Sequence, residues 1–279
     1  MARTCNSVEE GDDFYRSREF EEAIRCYDLA LESNPEDKEV WNKKGLAQCR
    51  LGQHAEALSS FDHALEIDPE FIDAWNNKGV VLFKMRRYAE ALGYFDAVIG
   101  MDPGYARAWY NKGVIQGTLG NHVEAIEHYD KTLEINPDRP KVWNNKGAAL
   151  AALRRYEEAL ECFERALALK EDDAESLVNK GSALGKLGRY DEAMAHFKSA
   201  LEIDPENVEA WCNRGEAERR QDRYQEALEF FAKAIELEPQ NARAWRGKGL
   251  ALMALGRDKE AKEAFDRAGV HGASGNVMN

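Results

Sequence analysis

Histidines, cysteines and carboxylates are the side chains that could bind a metal, act as nucleophiles or move protons. The six histidines are His54, His63, His122, His128, His196 and His271, and no two stand four residues apart. No H-E-x-x-H stretch occurs, so the metalloprotease arrangement of two imidazoles on one helical face is absent. Gly181, Gly185 and Lys186 supply residue types of a phosphate-binding loop, but the stretch is one residue too short and lies within a helical pattern. Carboxylate pairs such as Glu157 and Glu161 lie near Arg165 at helical spacing, the pattern of a solvated helix face. Cys5, Cys26, Cys49, Cys162 and Cys212 are odd in number and scattered, with no C-x-x-C pair. They read as reduced thiols packed as small hydrophobes. No nucleophile has a base beside it. The sequence predicts no enzyme, no metal and no cofactor.

The chain has 279 residues and a formal net charge of −13. Such an acidic surface repels phosphate backbones and anionic headgroups, which argues against nucleic-acid and membrane binding. No run approaches the roughly 20 apolar residues that span a bilayer. Residues 1–7 lack the apolar segment of a signal peptide, so a cytoplasmic location is expected.

What positions the side chains is a period of 34 residues. Trp41, Trp75, Trp109, Trp143, Trp211 and Trp245 keep that register, with Leu177 filling the one gap. Eight units begin at residues 4, 38, 72, 106, 140, 174, 208 and 242 and run as one array to residue 269, with residues 270–279 expected to form a disordered tail. Position 8 is always glycine, position 20 always alanine and position 24 always Phe or Tyr; six of the seven prolines stand at position 32. Positions 4, 8 and 11, and then 20, 24 and 27, recur at helical spacing, so each unit reads as helix, turn, helix. A helix-interior glycine costs about 1 kcal/mol against alanine, and close approach of two helix backbones is the expected compensation. Proline at 32 separates one unit from the next. Position 15 alternates between glycine (Gly52, Gly120, Gly188, Gly256) and Arg18, Arg86, Arg154 or Asp222, which predicts strained or differently shaped turns in the odd units. Glu171 replaces proline in the fifth unit, where the second helix is expected to run on more smoothly. Ser7 to Glu10 reads as a capping box for the first helix.

Trp75, Gly79, Leu82, Ala91, Phe95 and Pro103 show the pattern in one unit, and over residues 4–269 the chain resembles the tetratricopeptide repeat family. The departure is position 7, where Lys44, Lys78, Lys112, Lys146, Lys180, Arg214 and Lys248 replace leucine in the N-K-G style of many prokaryotic members. Their alkyl stems are expected to cover apolar surface while the charge reaches water. The resemblance implies an all-α fold, a right-handed superhelical α-solenoid of eight antiparallel helix pairs with the first helices lining a concave groove.

The same resemblance puts positions 2, 5, 6, 9, 12 and 13 on that groove. Position 6 supplies Asn77, Asn111, Asn145, Asn179 and Asn213, whose amides both donate and accept, as an extended peptide backbone requires. Such asparagines grip a threaded main chain in some members; alternatively they bond within the helix layer or meet only solvent. The remaining groove positions carry ten basic and six acidic residues, a balance of +4 that leaves −17 elsewhere. Lys84, Arg107, Tyr110 and Lys141 are the further candidate contacts, suited to a peptide with acidic and aliphatic side chains. Against this, the charges can pair along a solvated face. Position 5 contains no lysine, so the family's clamp for a chaperone carboxylate is not expected. The expected function is a non-catalytic protein–protein interaction scaffold. The alternative is a structural scaffold that self-associates through its terminal repeats, with room for this at the C-terminal face; a helical-repeat RNA binder is disfavoured by charge.

Overall fold

A computed structural model describes residues 7–269, and all regular structure among them is α-helical. The expected tail at 270–279 and the first residues of the first unit lie outside the described residues. The chain divides into two compact units, residues 1–137 and 138–279. In the first, the leading helix of each repeat, here called A, is α1 (Val8–Arg16), α3 (Lys38–Arg50), α5 (Ile72–Lys84) or α7 (Ala106–Thr118). The returning B helices are α2 (Phe20–Ser33), α4 (His54–Ile67), α6 (Tyr88–Met101) and α8 (His122–Ile135). The second unit has A helices α9 (Pro140–Ala152), α11 (Ala174–Lys186), α13 (Val208–Arg220) and α15 (Ala242–Ala254). Its B helices are α10 (Tyr156–Leu169), α12 (Tyr190–Ile203), α14 (Tyr224–Leu237) and α16 (Asp258–Arg267).

Within each unit a B helix packs on its own A helix and on the next one. Successive A helices also touch, as α3 with α5, α5 with α7, α9 with α11, α11 with α13 and α13 with α15; no comparable contact joins successive B helices. Each stack is therefore tighter on its A side, which makes the A face the inside of its curve.

The expected close approach of two backbones at position 8 is corrected by the packing. An aromatic ring, not a backbone, fills the space. A Cβ placed on Gly79 would lie 2.7 Å from Cε1 of Phe95, and one on Gly113 2.5 Å from Cε1 of Tyr129. The same clash recurs at Gly11, Gly45, Gly147, Gly181, Gly215 and Gly249, each with the position-24 ring of its own repeat. Phe61 and Phe95 are fully buried, as are the position-20 alanines beside them, Ala57 and Ala91. Burying such a ring contributes about 1.5–3 kcal/mol, more than glycine's propensity cost of about 1 kcal/mol.

Tryptophan at position 4 ties repeats together at the proline. Trp41 Nε1 donates to the carbonyl of Pro35 (2.8 Å), Trp75 to Pro69 (2.8 Å), Trp109 to Pro103 (3.0 Å), Trp211 to Pro205 (3.0 Å) and Trp245 to Pro239 (2.8 Å). The repeat with Leu177 in place of tryptophan follows the repeat with Glu171 in place of proline, so both halves of the motif are lost at one junction. The second helix before Glu171 does not run on: α10 ends at Leu169, the same repeat position as Ile67 and Met101 in α4 and α6. The A–B packing sets helix length there without proline.

The turns do not differ in shape. Arg18, Arg86, Arg154 and Asp222 adopt φ of 59–64°, the left-handed region in which Gly52, Gly120, Gly188 and Gly256 also lie. The alternation is one of strain, because a side chain there costs about 1–2 kcal/mol. Ser7 caps α1 as expected, accepting from the Glu10 N–H at 3.2 Å. Cys49, Cys162 and Cys212 are buried free thiols. Cys26 is disulfide-bonded, so the expectation of reduced thiols fails there.

Two outcomes are expected in urea unfolding. Gly79→Ala lowers stability by about 1–3 kcal/mol through overpacking, although alanine is the better helix former, and Phe95→Leu in the same chain restores part of the loss. A neutral or stabilising Gly79→Ala contradicts the packing account. Arg86→Gly raises stability by about 0.5–1 kcal/mol, the relief of strain less the added entropy of the unfolded chain; a loss of stability contradicts the strain account.

Candidate functional site

The A face of each unit carries the amides singled out by the sequence, and the structure gives them neighbours. Position 6 of one A helix meets position 5 of the A helix before it. Asn77 Nδ2 donates to Asn42 Oδ1 at 2.8 Å, Asn111 to Asn76 at 3.2 Å and Asn179 to Asn144 at 2.9 Å. Asn42, Asn76 and Asn144 are buried at 9%, 4% and 2% exposure, so these acceptors are fixed in the layer between repeats. Asn144 also donates to Glu175 Oε1 at 3.0 Å.

Of the expected alternatives, the structure shows bonding within the helix layer, for one N–H each of Asn77, Asn111 and Asn179. One N–H of Asn111 or Asn179 is spent on the preceding repeat, and neither residue makes another side-chain hydrogen bond. Both are half-buried, so the second N–H and Oδ1 retain capacity at an oriented amide. Asn145 is likewise half-buried. Asn213 differs. Position 5 of the preceding repeat is Val178, and Asn213 donates instead to Ser182 Oγ at 2.9 Å while its Oδ1 accepts from Arg243.

The other sequence candidates lie at the exposed margin of this face. Lys84 is exposed, with Nζ 3.4 Å from Cys49 Sγ. Arg107 is exposed at the start of α7, next to Tyr105, which donates to Asp73 Oδ1 at 2.5 Å. Burial and then that carboxylate push the Tyr105 hydroxyl up to about 12. Tyr110 is half-buried with its ring 6.2 Å from that of Tyr129. Lys141 is exposed at the start of α9. In the first unit the structure brings Asn77, Asn111, Tyr110, Lys84 and Arg107 onto the A helices α5 and α7; in the second, Asn145, Asn179, Asn213 and Lys141 onto α9, α11 and α13.

Several basic side chains expected to give the lining its positive balance are engaged. Arg16 pairs with Asp13 at 2.7 Å, and Arg219 and Arg220 both hold Glu216, at 2.7 and 2.8 Å. Burial raises the affinity of the Glu216 carboxyl for a proton, but the two guanidiniums outweigh it and hold the group below the usual range.

Two sets of partners escaped the sequence reading. The buried position-5 asparagines were legible only as a pairing between adjacent repeats: wherever position 5 is Asn, position 6 of the next repeat is Asn. The second set corrects the expectation that the position-7 lysines reach water. Lys44 pairs with Asp28 at 2.6 Å, Lys112 with Asp96 at 2.5 Å, Lys180 with Glu164 at 3.1 Å, and Lys78 with Asp62. Each carboxylate stands at position 25 of the preceding repeat, and Lys44 and Lys78 also lie 4.9 Å from the ring centroids of Trp41 and Tyr94. Lys78 is only 8% exposed. Its burial favours loss of the proton, yet Asp62 and Tyr94 prevail and its pKa is raised.

Chemistry of other kinds finds little support among the described residues. No group of three or more His, Cys, Asp or Glu is placed to hold a metal, and no helix is long and apolar enough to cross a membrane. Burial pushes the Cys212 thiol up to about 11, which suppresses its thiolate near neutral pH. Nδ1 of His54 and of His122, both at the first position of a B helix, is shielded without a hydrogen-bond partner.

One sequence model described as tetratricopeptide repeat matches residues 8–70, 76–140 and 178–242, and two further models so described match 138–206 and 218–272. No curated protein matches the chain. Among solved structures it is similar to YrrB, described as a TPR protein with an unusual peptide-binding site, at 27% identity over 68% of this chain and 98% of that one, with a TM-score of 0.58. It is similar to MamA at 27% identity over 58% of this chain and 94% of that one, with a TM-score of 0.51. A Parabacteroides merdae tetratricopeptide repeat protein, 19% identical, shares the fold over 88% of this chain and 97% of its own, with a TM-score of 0.64.

Proposed function

The chain belongs to the tetratricopeptide repeat family, and from that premise we propose that it is a non-catalytic interaction scaffold that holds an extended peptide segment of a partner protein on its A-helix face. The observation that carries this reading is the state of Asn111 and Asn179. Each amide is oriented by one bond to a buried asparagine and keeps a donor and an acceptor for a ligand. A main chain in extended conformation offers the complementary N–H and C=O groups, whatever its side chains. Orientation by the neighbouring repeat removes side-chain entropy before the ligand arrives. Exposed Lys84 and Arg107 on the A helices of the first unit, and Lys141 on those of the second, favour acidic side chains in the ligand, and the description of the similar YrrB as peptide-binding agrees with the class of partner.

The test uses a peptide selected on the wild-type chain from a random nonapeptide display library. Asn111→Ala with Asn179→Ala is expected to weaken its binding at least tenfold in a fluorescence anisotropy titration. The two changes also remove one inter-repeat hydrogen bond each, a stability cost of about 1 kcal/mol apiece. Affinity within twofold of wild type, in a variant that still melts cooperatively, removes the amides from the binding site.

A further inference from the structure

The A face changes character in the second unit, between α11, α13 and α15. Asn213 continues the series of position-6 asparagines but has both ends of its amide engaged within the chain. Nδ2 donates to Ser182 Oγ at 2.9 Å and Oδ1 accepts from the guanidinium of Arg243. It therefore lacks the two-ended capacity that Asn111 and Asn179 keep. What it does instead is hold Arg243, whose ion-pair partner Glu209 lies at 4.0 Å.

Beside this pair lies a cavity of about 400 Å³, with Ser182, Lys186, Asn213, Arg220 and Arg243 in its wall and the buried ring of Phe197 contributing to the lining. Lys186 is exposed and makes no ion pair or hydrogen bond, so its ammonium is available to a ligand. Glu216, also in the wall, is already neutralised by Arg219 and Arg220. Three basic side chains of the wall, Lys186, Arg220 and Arg243, stand against two acidic ones, Glu209 and Glu216, a local +1 in a chain of net −13. Position 5 in this stretch is Val178 and Cys212, so the cavity lacks the buried asparagine that would have engaged Asn213 from behind.

We propose that this cavity is a side-chain subsite for a carboxylate, an Asp or Glu of the bound segment, with Lys186 and Arg243 as its direct contacts and Asn213 as the residue that positions Arg243. The proposal rests on the peptide-binding reading above and gives two parts of the second unit's A face different roles. The free amide on α11 takes main chain, and α13 with α15 selects one acidic side chain. A guanidinium held by a fixed amide oxygen is already oriented to bond a carboxylate, and the exposed ammonium of Lys186 on α11 completes the charge.

The test uses the full chain, immobilised, and three capped nonapeptide pools whose central residue is Glu, Gln or Lys and whose other positions are drawn from Ala, Leu, Ser, Asn and Tyr. Retention is read by mass spectrometry. Wild type is expected to retain the Glu pool at least fivefold over the Gln pool and to retain the Lys pool least. Lys186→Gln with Arg243→Gln is expected to level the Glu and Gln pools, Asn213→Leu to reduce the Glu preference, and Lys233→Gln, on the B helix α14 and paired with Glu236, to leave the Glu-to-Gln ratio unchanged. Equal retention of Glu and Gln by wild type overturns the subsite while leaving main-chain binding intact. A preference that survives in the Lys186/Arg243 variant, or is lost in Lys233→Gln, overturns its location. If wild type retains no pool, the peptide-binding reading falls and the subsite with it.

Discussion

Each repeat depends on an aromatic ring seated where its partner helix has no side chain. The ring at position 24 reaches the backbone of the A helix because position 8 is glycine, and any Cβ there would meet ring carbon at about 2.5–2.7 Å. This contact fixes how closely A and B lie, and the alanine at position 20, fully buried in most repeats, keeps the gap narrow around it. Because the contact recurs with the same atoms, the A helices present the same positions in every repeat. An asparagine at position 6 then meets position 5 of its neighbour, and a lysine at position 7 meets a carboxylate at position 25. The geometry of the candidate site follows from a steric constraint on the far side of the same helix.

Polar ties between repeats are added to this apolar frame. The tryptophan-to-proline-carbonyl bond, the lysine–carboxylate pair and the asparagine pair all join a repeat to the one before it. None spans more than one junction, so neighbours influence one another mostly in pairs. The ties also fade along the second unit. Lys180 still reaches Glu164, but Arg214 stands where the preceding position 25 is Lys198, and its Nε is shielded without a partner. Burial lowers its pKa, and the guanidinium lies 4.1 Å from the Phe230 ring centroid instead. Gly247, which takes the place of asparagine at position 6 of the last repeat, is packed so closely on Phe231 that a Cβ would come within 2.4 Å. The asparagine series stops there for want of room.

Much of the fold was legible because it is periodic. The 34-residue register, the helix–turn–helix unit and the helix boundaries follow from Trp41, Gly45, Phe61 and Pro69 and their equivalents, since each residue type has one mechanical reason to recur. The ring beneath the glycine was harder to see: a sequence shows that position 8 is small, and not whether backbone or side chain claims the space. The turns at Arg86 and Arg154 show the converse limit, because helix packing on both sides forces a left-handed residue whatever its propensity. At the candidate site the position-6 asparagines stood out by repetition, while their buried partners at position 5 did not. Asn42, Asn76 and Asn144 occur in only some repeats, and their meaning depends on the repeat that follows. Lys186 and Arg243 converge on one cavity although they lie in different repeats at different positions, a proximity that no single period encodes.

The seating of the ring can be observed without altering it. In a chain carrying protonated glycine and ring-labelled phenylalanine in a deuterated background, NMR cross-relaxation should connect the α protons of Gly45, Gly79, Gly147 and Gly181 with the ε protons of Phe61, Phe95, Phe163 and Phe197 respectively. Strong cross-peaks at all four pairs are the predicted result. Their absence, with the phenylalanine rings instead contacting only aliphatic side chains, would contradict the constraint on which the spacing of the helices and the register of the site depend.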